Sequence, residues 1–270
     1  MSNVDLKTIA QERFADPDVE GIGLIGSRAT DVPLVVCGLV EAVRERVGQG
    51  GRVLELGFGS GWLLEELRAE LTEPELFGLD LSTGNARRAH ELYGDRVRVL
   101  AGDMDRLAFR AGAFDVIVTC WTLYFMRDID ATLAEIKRCL APGGRLIAAT
   151  SAPDHEVEAN ELAAEATSEA LGRSVSAAEL DVGSRFDLAT GAAYVQRHFP
   201  KVELRTWQGE MVLSMDEVAS LWKKWEPAML SRAEQDAAHA SFLRLLPERL
   251  GSEGTLRIRR REGAFVCDME

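Results

Sequence analysis

The chain has 270 residues, of which 46% are hydrophobic, and its formal net charge is −13. This length and composition suit one large domain or one domain with a small subdomain, and nothing in the composition indicates a fibre or a disordered chain. A strongly acidic surface argues against general nucleic-acid binding, which depends on neutralising phosphates. The short basic run "RIRRRE" at 257–262 is interpreted as a solvated strand or hairpin.

Targeting and metal-binding signals are weak. The polar N-terminus does not resemble a signal peptide, and no apolar run is long enough for a membrane span, so we expect a cytoplasmic protein. Four cysteines are far apart and form no CxxC pair, which favours buried thiols in a reducing compartment: Cys37, Cys120, Cys139 and Cys267. The four histidines are equally scattered, and we expect no metal site.

The first 150 residues predict a helical segment followed by an alternation of strands and helices. Residues 1–50 look mostly helical, with an amphipathic pattern at 31–47. Strands are predicted at 52–56, 75–80, 97–101, 114–120 and 144–150, and helices at 61–71, 83–93 and 129–140. Short apolar strands separated by amphipathic helices predict a parallel sheet that is covered on both faces.

The pattern changes after residue 151. Helices are predicted at 154–172 and 187–199, the latter with Thr190 as a plausible cap, then a strand at 201–213, helices to about 250 and two short β segments within 255–269. The insertion at 151–186 follows the fifth strand, where it can cover a ligand cleft or serve as a scaffold helix. We divide the chain into an N-terminal helical cap segment, a binding core and a substrate-side region that form one domain overall: 1–50, 51–151 and 152–270.

The stretch "VLELGFGSGW" (53–62) places glycines at every second position after the first strand. A dinucleotide-binding G-x-G-x-x-G fingerprint that begins at Gly57 requires a glycine where Trp62 stands, and no G-K-[ST] follows to make a P-loop. Glycines in this number indicate positive φ angles or a close approach to the backbone. The loop therefore predicts room for a ligand that is not held by a pyrophosphate clamp.

Two acidic residues end the next two strands. Asp80 ends the second strand, where its carboxylate can accept hydrogen bonds from ribose hydroxyls, although it can also cap the following helix. Asp103 ends the third strand beside Met104, and it can accept from an adenine amino group or simply belong to a turn. Aromatic residues follow the fourth strand in "TCWTLYF". All these positions fall at the carboxyl edge of the predicted sheet, which favours one binding site there.

At these residues the sequence resembles the class I S-adenosylmethionine-dependent methyltransferases, and especially the small-molecule group that includes the ubiquinone and menaquinone biosynthesis enzymes (the type 11 methyltransferase domain). The matching motifs are "VLELGFGSG", "GLDLS", "AGDMDRLAF" and the stretch from "FDVIVTC" to "GGRLI", within residues 50–151. The resemblance implies an α/β, Rossmann-like, seven-stranded and mostly parallel sheet with helices on both faces. Its antiparallel last strand would lie around 263–268.

The resemblance also implies a role for individual residues around S-adenosylmethionine. The glycine loop would lie against the methionine portion, Glu55 would order that loop or contact the amino group through water, and Asp80 would bind the ribose. Leu81 would flank the adenine, and Asp103 would face its amino group. The remaining implied cofactor-binding positions are Gly57, Phe58, Gly59, Gly61, Met104, Cys120 and Trp121. Phe58 departs from the small or polar residue usual there and is expected to change the pocket wall.

The implied reaction moves a methyl group to a carbon, oxygen or nitrogen atom of a small, partly apolar molecule, in secondary metabolism or quinone biosynthesis, with S-adenosylhomocysteine as the product. Tyr124 and His155 are the candidate orienting or basic residues, although Tyr124 can be core and His155 can be a surface residue. The alternative is a protein of the same fold that binds the cofactor without methyl transfer or uses it for non-methyl chemistry. An NAD-linked oxidoreductase is disfavoured by Trp62. We expect a monomer or homodimer that uses no metal, binds no nucleic acid and does not span a membrane.

Overall fold

The computed structural model describes residue 7 and residues 22–47, 50–227 and 230–270. Seven strands form one sheet in the order β3-β2-β1-β4-β5-β7-β6. Their bounds are β1 Arg52–Leu56, β2 Glu75–Asp80, β3 Val97–Ala101, β4 Phe114–Cys120, β5 Leu140–Ser151, β6 Lys201–Ser214 and β7 Thr255–Asp268. Strands β1 to β5 pair in parallel, and β7 pairs antiparallel with both β5 and β6. The predicted Rossmann-like sheet with an antiparallel last strand is confirmed.

Helices surround the sheet. Those among the described residues are α1 Ile22–Arg28, α2 Val32–Val47, α3 Trp62–Glu70, α4 Thr83–Tyr93, α5 Ile129–Cys139, α6 Val157–Leu171, α7 Ala177–Leu180, α8 Gly191–His198, α9 Met215–Ser220, α10 Trp222–Trp225 and α11 Arg232–Arg249. None of these described helices combines the length and apolarity that a membrane crossing requires.

The two faces of the sheet bury different side chains of the same strands. Leu54 and Ile117 belong to a hydrophobic cluster with α5 and α8, whereas Val53 and Val116 belong to a second cluster with α2 and α3. Successive side chains of a strand point to opposite faces, so an uninterrupted apolar strand is buried on both. This double burial explains why the short apolar runs of the sequence form the centre of the sheet.

Strands β6 and β7 extend beyond the rest of the sheet. They pair along their whole length, from Lys201 opposite Asp268 to Ser214 opposite Thr255, whereas β5 pairs with β7 only as far as Ser151 opposite Glu262. The remaining part of the pair is a two-stranded ribbon that projects past the carboxyl end of β5. A third hydrophobic cluster packs α1, α6 and α9 to α11 against this ribbon.

Several sequence predictions need correction. The predicted pair of short β segments at 255–269 is one continuous strand. Cys37 is exposed, whereas the other three cysteines are buried as expected. Thr190 precedes α8, but its side chain does not cap the helix. The Asp187 carboxylate instead accepts hydrogen bonds from the backbone N–H groups of Ala189 and Thr190. Most of the helical prediction for 1–21 lies outside the described residues.

Candidate functional site

The glycine loop after β1 lies where the strand order reverses, between β1 and β4. Ligands bind at such switch points in open α/β sheets. Gly57, Gly59 and Gly61 all have positive φ angles, of 70°, 52° and 82°. A Cβ on Gly57 would lie 2.6 Å from the Thr122 side chain, and one on Gly61 would lie 2.7 Å from the Tyr93 hydroxyl, but one on Gly59 would meet nothing within 4 Å. The loop is therefore packed at both ends and open in the middle.

Asp80 connects this loop to α4. One carboxylate oxygen, Oδ2, accepts the Gly59 N–H at 2.8 Å, and the other, Oδ1, accepts from the Ser82 N–H at 2.8 Å and the Asn85 side-chain amide at 3.2 Å. The side chain that caps α4 is Ser82, which accepts the Asn85 N–H. Asp80 thus holds the open part of the glycine loop in place, and Ser82, not Asp80, caps the helix.

Glu55, which lies in β1 just before the loop, is incompletely hydrogen-bonded. It is buried in β1, and its Oε2 has no hydrogen-bond partner among the described residues. Burial, with the nearby negative charge of Asp80, raises the pKa of Glu55 well above its usual value, which favours the neutral carboxyl. Because buried polar atoms are nearly always hydrogen-bonded, the unpaired oxygen marks a place for a polar group of a ligand or a water.

Asp103 lies beyond β3, beside the buried Met104. Its Oδ1 accepts the Asp105 N–H at 2.9 Å and the Lys7 ammonium at 2.5 Å, and Lys7 also pairs with the Asp105 carboxylate. Burial works to raise the pKa of Asp103, but the hydrogen bonds from Lys7 and the Asp105 N–H, with the positive charges of Lys7 and Arg127, together outweigh it and the pKa is lowered. Sequence reasoning missed Lys7, because nothing in the local pattern links it to a position 96 residues away.

The residues after β4 form the other side of the switch point. Cys120 is buried, and burial raises the pKa of its thiol well above the usual value, so the group is a neutral thiol. Trp121 has a φ of 50°, which is rare for a bulky side chain and is characteristic of functional sites. Its ring lies 6.1 Å from that of Trp62, and its Nε1 donates to the Ser151 hydroxyl at 3.1 Å.

Phe58 and Leu81, two other positions assigned from the resemblance, differ in their burial. The Phe58 side chain is fully buried in the core, where it contacts Gly78 of β2. Its ring does not line the cavity described below, and the expectation that it changes the wall of the cofactor pocket stays a prediction. Leu81 is half-buried directly after Asp80, at the edge of the sheet.

A cavity of about 480 Å³, here called the central cavity, is lined by Trp121 and by Trp62, the residue directly after the glycine loop. One part of its wall is aromatic: Trp62, Trp121, Tyr124, Phe125 and Trp225. The candidate residues Tyr124 and His155 both line it, and so do Ala163, Leu180 and Gly183 from the insertion after β5. The insertion therefore forms a wall of the cavity, which agrees with the first of the two alternatives for this segment.

A buried ionic cluster forms another part of the wall, around Arg260 of β7. The Arg260 side chain is 5% exposed; its Nε donates to Asp31 at 2.9 Å, its Nη1 to Glu156 and its Nη2 to Glu262. The interpretation of "RIRRRE" as a solvated strand is therefore wrong for Arg260 and Glu262, which are buried in alternation with exposed neighbours. The signal was available, since Leu256 and Ile258 share their face at a spacing of two.

His155 and Glu156 complete this cluster at the start of α6. The His155 Nδ1 accepts the Arg261 N–H at 3.1 Å, and its Nε2 lies 3.2 Å from Glu156 Oε1 and 3.5 Å from Glu262 Oε1. Burial alone would raise the pKa of Glu156, but the charges of Lys224, His155 and Arg260 hold it well below its usual value. Burial raises the pKa of Glu262 instead.

Within the residues that the structure describes, no group of three or more His, Cys, Asp or Glu side chains is arranged to hold a metal ion.

Comparison with known proteins relates this site to one family. Residues 54–148 match the model described as "Methyltransferase domain". The demethylmenaquinone methyltransferase of Thermus thermophilus is 36% identical over 99 residues, which cover 36% of this chain and 45% of that protein. The malonyl-[acyl-carrier protein] O-methyltransferase of Chlorobium phaeovibrioides is 36% identical over 120 residues, which cover 42% of this chain and 45% of that protein.

The chain spans less than half the length of these two curated relatives. The crystal structure of the YcgJ protein of Bacillus subtilis superimposes with a TM-score of 0.56 at 14% identity, covering 87% of this chain and 97% of that one. That likeness extends the shared fold over most of the chain. The family match includes the glycine loop, most of β1 and strands β2 to β4, and residues 54–148 are therefore similar to a methyltransferase domain.

Proposed function

We propose that this protein is an S-adenosylmethionine-dependent methyltransferase that acts on a carbon, oxygen or nitrogen atom of a small, partly apolar molecule. The observation that supports this most is the junction at Trp121. This residue borders the glycine loop through Trp62 and also lines the central cavity. A cofactor in the loop and an acceptor in the cavity would therefore be neighbours across one side chain.

The residues of the loop fit the cofactor. The open space at Gly59 accommodates a ligand against the backbone, and the unpaired Glu55 Oε2 offers a partner for the amino group of the methionine portion, directly or through water. Three protein donors use all but one of the lone-pair positions of the Asp80 carboxylate, and the remaining one, on Oδ2, would accept from a ribose hydroxyl. Leu81 and Met104 would flank the adenine, and Asp103 would accept from its amino group.

Methyl transfer from S-adenosylmethionine requires little of the protein beyond positioning the acceptor. S-adenosylmethionine, when bound, supplies an electrophilic methyl group on its sulfonium. The aromatic wall of the central cavity would hold the acceptor in line with that methyl group, which converts a bimolecular encounter into an oriented one. The neutral Cys120 thiol does not compete as a nucleophile. His155 is held by the Arg261 backbone and by carboxylates, which suits an orienting group better than a mobile base.

The names of the two curated relatives support the acceptor class. One is named for demethylmenaquinone and the other for a malonyl group on a carrier protein, and the cavity volume of about 480 Å³ suits a small molecule or the end of a larger one. Its aromatic lining favours an acceptor with an apolar body.

Two measurements on the full chain test this proposal. Calorimetry should show binding of S-adenosylmethionine and S-adenosylhomocysteine, and a panel of small hydroxy, amino and quinol-type acceptors should yield S-adenosylhomocysteine by mass spectrometry. Failure to bind either nucleoside would refute the proposal. Binding without turnover on any acceptor would instead favour the alternative function, a cofactor-binding protein without methyl transfer.

A further inference from the structure

The ionic cluster at the central cavity has an unequal count of charges. Three carboxylates, Asp31, Glu156 and Glu262, surround the Arg260 guanidinium, and the Lys224 ammonium approaches Glu156 at 3.5 Å. Among the residues that the structure describes, two fixed cations thus face three carboxyl groups, with a histidine as the sixth member. Burying a charge is costly unless it is paired and hydrogen-bonded, so such an imbalance needs a further partner.

Glu262 is the carboxylate of the cluster that lacks a partner on one of its oxygens. Glu156 receives Arg260 on one oxygen and the Trp225 Nε1 at 2.9 Å on the other, and Asp31 receives the Arg260 Nε. Glu262 receives Arg260 on Oε1 only, and its Oε2 has no hydrogen-bond partner among the described residues, although the side chain is 4% exposed. This unpaired oxygen belongs to a residue that lines the central cavity.

Glu262 also lies close to the predicted position of methyl transfer. It pairs directly with Ser151 across β5 and β7, so the two side chains point to the same face of the sheet. The Ser151 hydroxyl accepts from the indole of Trp121, which borders the glycine loop. Ser151 therefore lies between Glu262 and Trp121, the residue that the cofactor and the acceptor would both contact.

We propose that Glu262 Oε2 accepts a hydrogen bond from a single N–H or O–H group on an otherwise apolar acceptor and thereby selects acceptors that carry such a donor. This inference rests on the proposed function and specifies its substrate class. The donor would fill the one unpaired position of the cluster, while the body of the acceptor contacts the aromatic wall.

A matched set of naphthalene probes tests the inference. 2-Naphthol and 2-naphthylamine each carry one donor, whereas 2-methoxynaphthalene has the same apolar body and no donor. Their binding to the full chain, saturated with S-adenosylhomocysteine, is followed by quenching of the fluorescence of Trp62, Trp121 and Trp225. We expect at least one donor-bearing probe to bind about tenfold more tightly than the methoxy probe, because only a donor can form the hydrogen bond to Glu262 Oε2. If 2-naphthol binds more tightly than 2-naphthylamine, the preferred donor is an O–H group, and the opposite order indicates an N–H group.

The Glu262→Gln variant sharpens the test. Arg260 requires an oxygen at the Oε1 position, so the glutamine would place its NH₂ group at the Oε2 position. The preference should then disappear or reverse, because the methoxy oxygen accepts from that group. Glu210→Gln is the matched control: this glutamate lies on β6, is exposed and pairs with Arg257, and the change should leave the preference intact.

The outcomes separate this inference from the function on which it rests. If the unaltered protein fails to bind S-adenosylhomocysteine by calorimetry, the proposed function fails. If it binds the nucleoside but binds the donor-bearing and methoxy probes equally, or binds none of the three, the role of Glu262 is overturned. The comparison of probes on the unaltered protein does not depend on the variant folding. In the variant, unchanged affinity for S-adenosylhomocysteine reports an intact fold, and a persisting preference for donors also overturns the inference.

Discussion

Replacement of Gly59 by alanine tests the glycine loop directly. Its φ of 52° costs an alanine about 1–2 kcal/mol of folding free energy, which corresponds to roughly 2–4 °C in Tm for each kcal/mol in a chain of this size. The added Cβ meets no protein atom within 4 Å, so no steric cost adds to this within the protein. The methyl group would instead occupy the space assigned to the cofactor.

The loss of cofactor affinity should therefore exceed what the loss of stability explains. Intruding one methyl group into a filled site costs about 1–3 kcal/mol, which is about 5- to 150-fold in Kd. Calorimetric titration with S-adenosylhomocysteine measures this change, and thermal unfolding measures the stability. Gly172→Ala is the matched control, because Gly172 has a φ of 62° in equally open space at the far end of α6.

The Gly172 variant should lose comparable stability and keep its affinity for the nucleoside. An unaltered Kd for Gly59→Ala, or an equal loss of affinity in Gly172→Ala, would refute the reasoning that the open side of the loop receives the cofactor.

Three further predictions concern stability and affinity. Asp80→Ala should weaken S-adenosylhomocysteine binding by about 1–3 kcal/mol in calorimetry, because it removes a ribose acceptor and frees the Gly59 N–H. Glu156→Gln should lower the free energy of unfolding by about 3–5 kcal/mol at pH 7, because it breaks a buried ion pair. Folding lowers the pKa of Glu156, so its carboxylate stabilises the fold fully only above the unfolded pKa of 4.5, and this stabilisation is lost as pH falls. Denaturant titrations should therefore show that the loss of unfolding free energy caused by Glu156→Gln becomes smaller in acid. Phe58→Leu should cost about 1–2 kcal/mol of stability and leave nucleoside affinity unchanged, because its ring packs on Gly78 in the core.

Each of these has a contrary result. Equal affinity for the Asp80 variant and the unaltered protein would remove the ribose role. A Glu156→Gln penalty that is constant from pH 7 to pH 4 would mean that the carboxylate is not stabilised by its cationic neighbours. A Phe58→Leu variant that folds normally but binds the nucleoside tenfold more weakly would return this side chain to the pocket wall.

The parallel half of the sheet was predictable because its signals are local. Strands β1 to β4 have the predicted bounds, since each is a short run that is largely apolar and bounded by glycine or polar residues; β1 and β4, at the centre of the sheet, are buried on both faces. The positions at the switch point followed from the same strands, because any residue directly after a parallel strand lies at one edge of the sheet.

The ionic cluster was not predictable by the same means. Arg260 appears in the sequence as one of four arginines in a charged run, and its partner Asp31 is 229 residues away. The alternation with Leu256 and Ile258 assigns Arg260 to the buried face, but only the tertiary fold brings Asp31 and Glu156 to it. The backbone of Trp121 is a similar case, because a φ of 50° in a tryptophan depends on its tertiary surroundings and contradicts its intrinsic preference.

The position of β7 between β5 and β6 has a consequence for how the chain folds during synthesis. Strands β1 to β5 can pair as they leave the ribosome, but β6 has no sheet to join until residues 255–268 have been made. During that interval the β5 edge is open to pairing with other chains, and contacts of this sequence separation form slowly. The cofactor half of the site can therefore form early in translation, whereas the wall that carries Arg260 and Glu262 is completed last, and damage to β7 should appear first as aggregation of nascent chains.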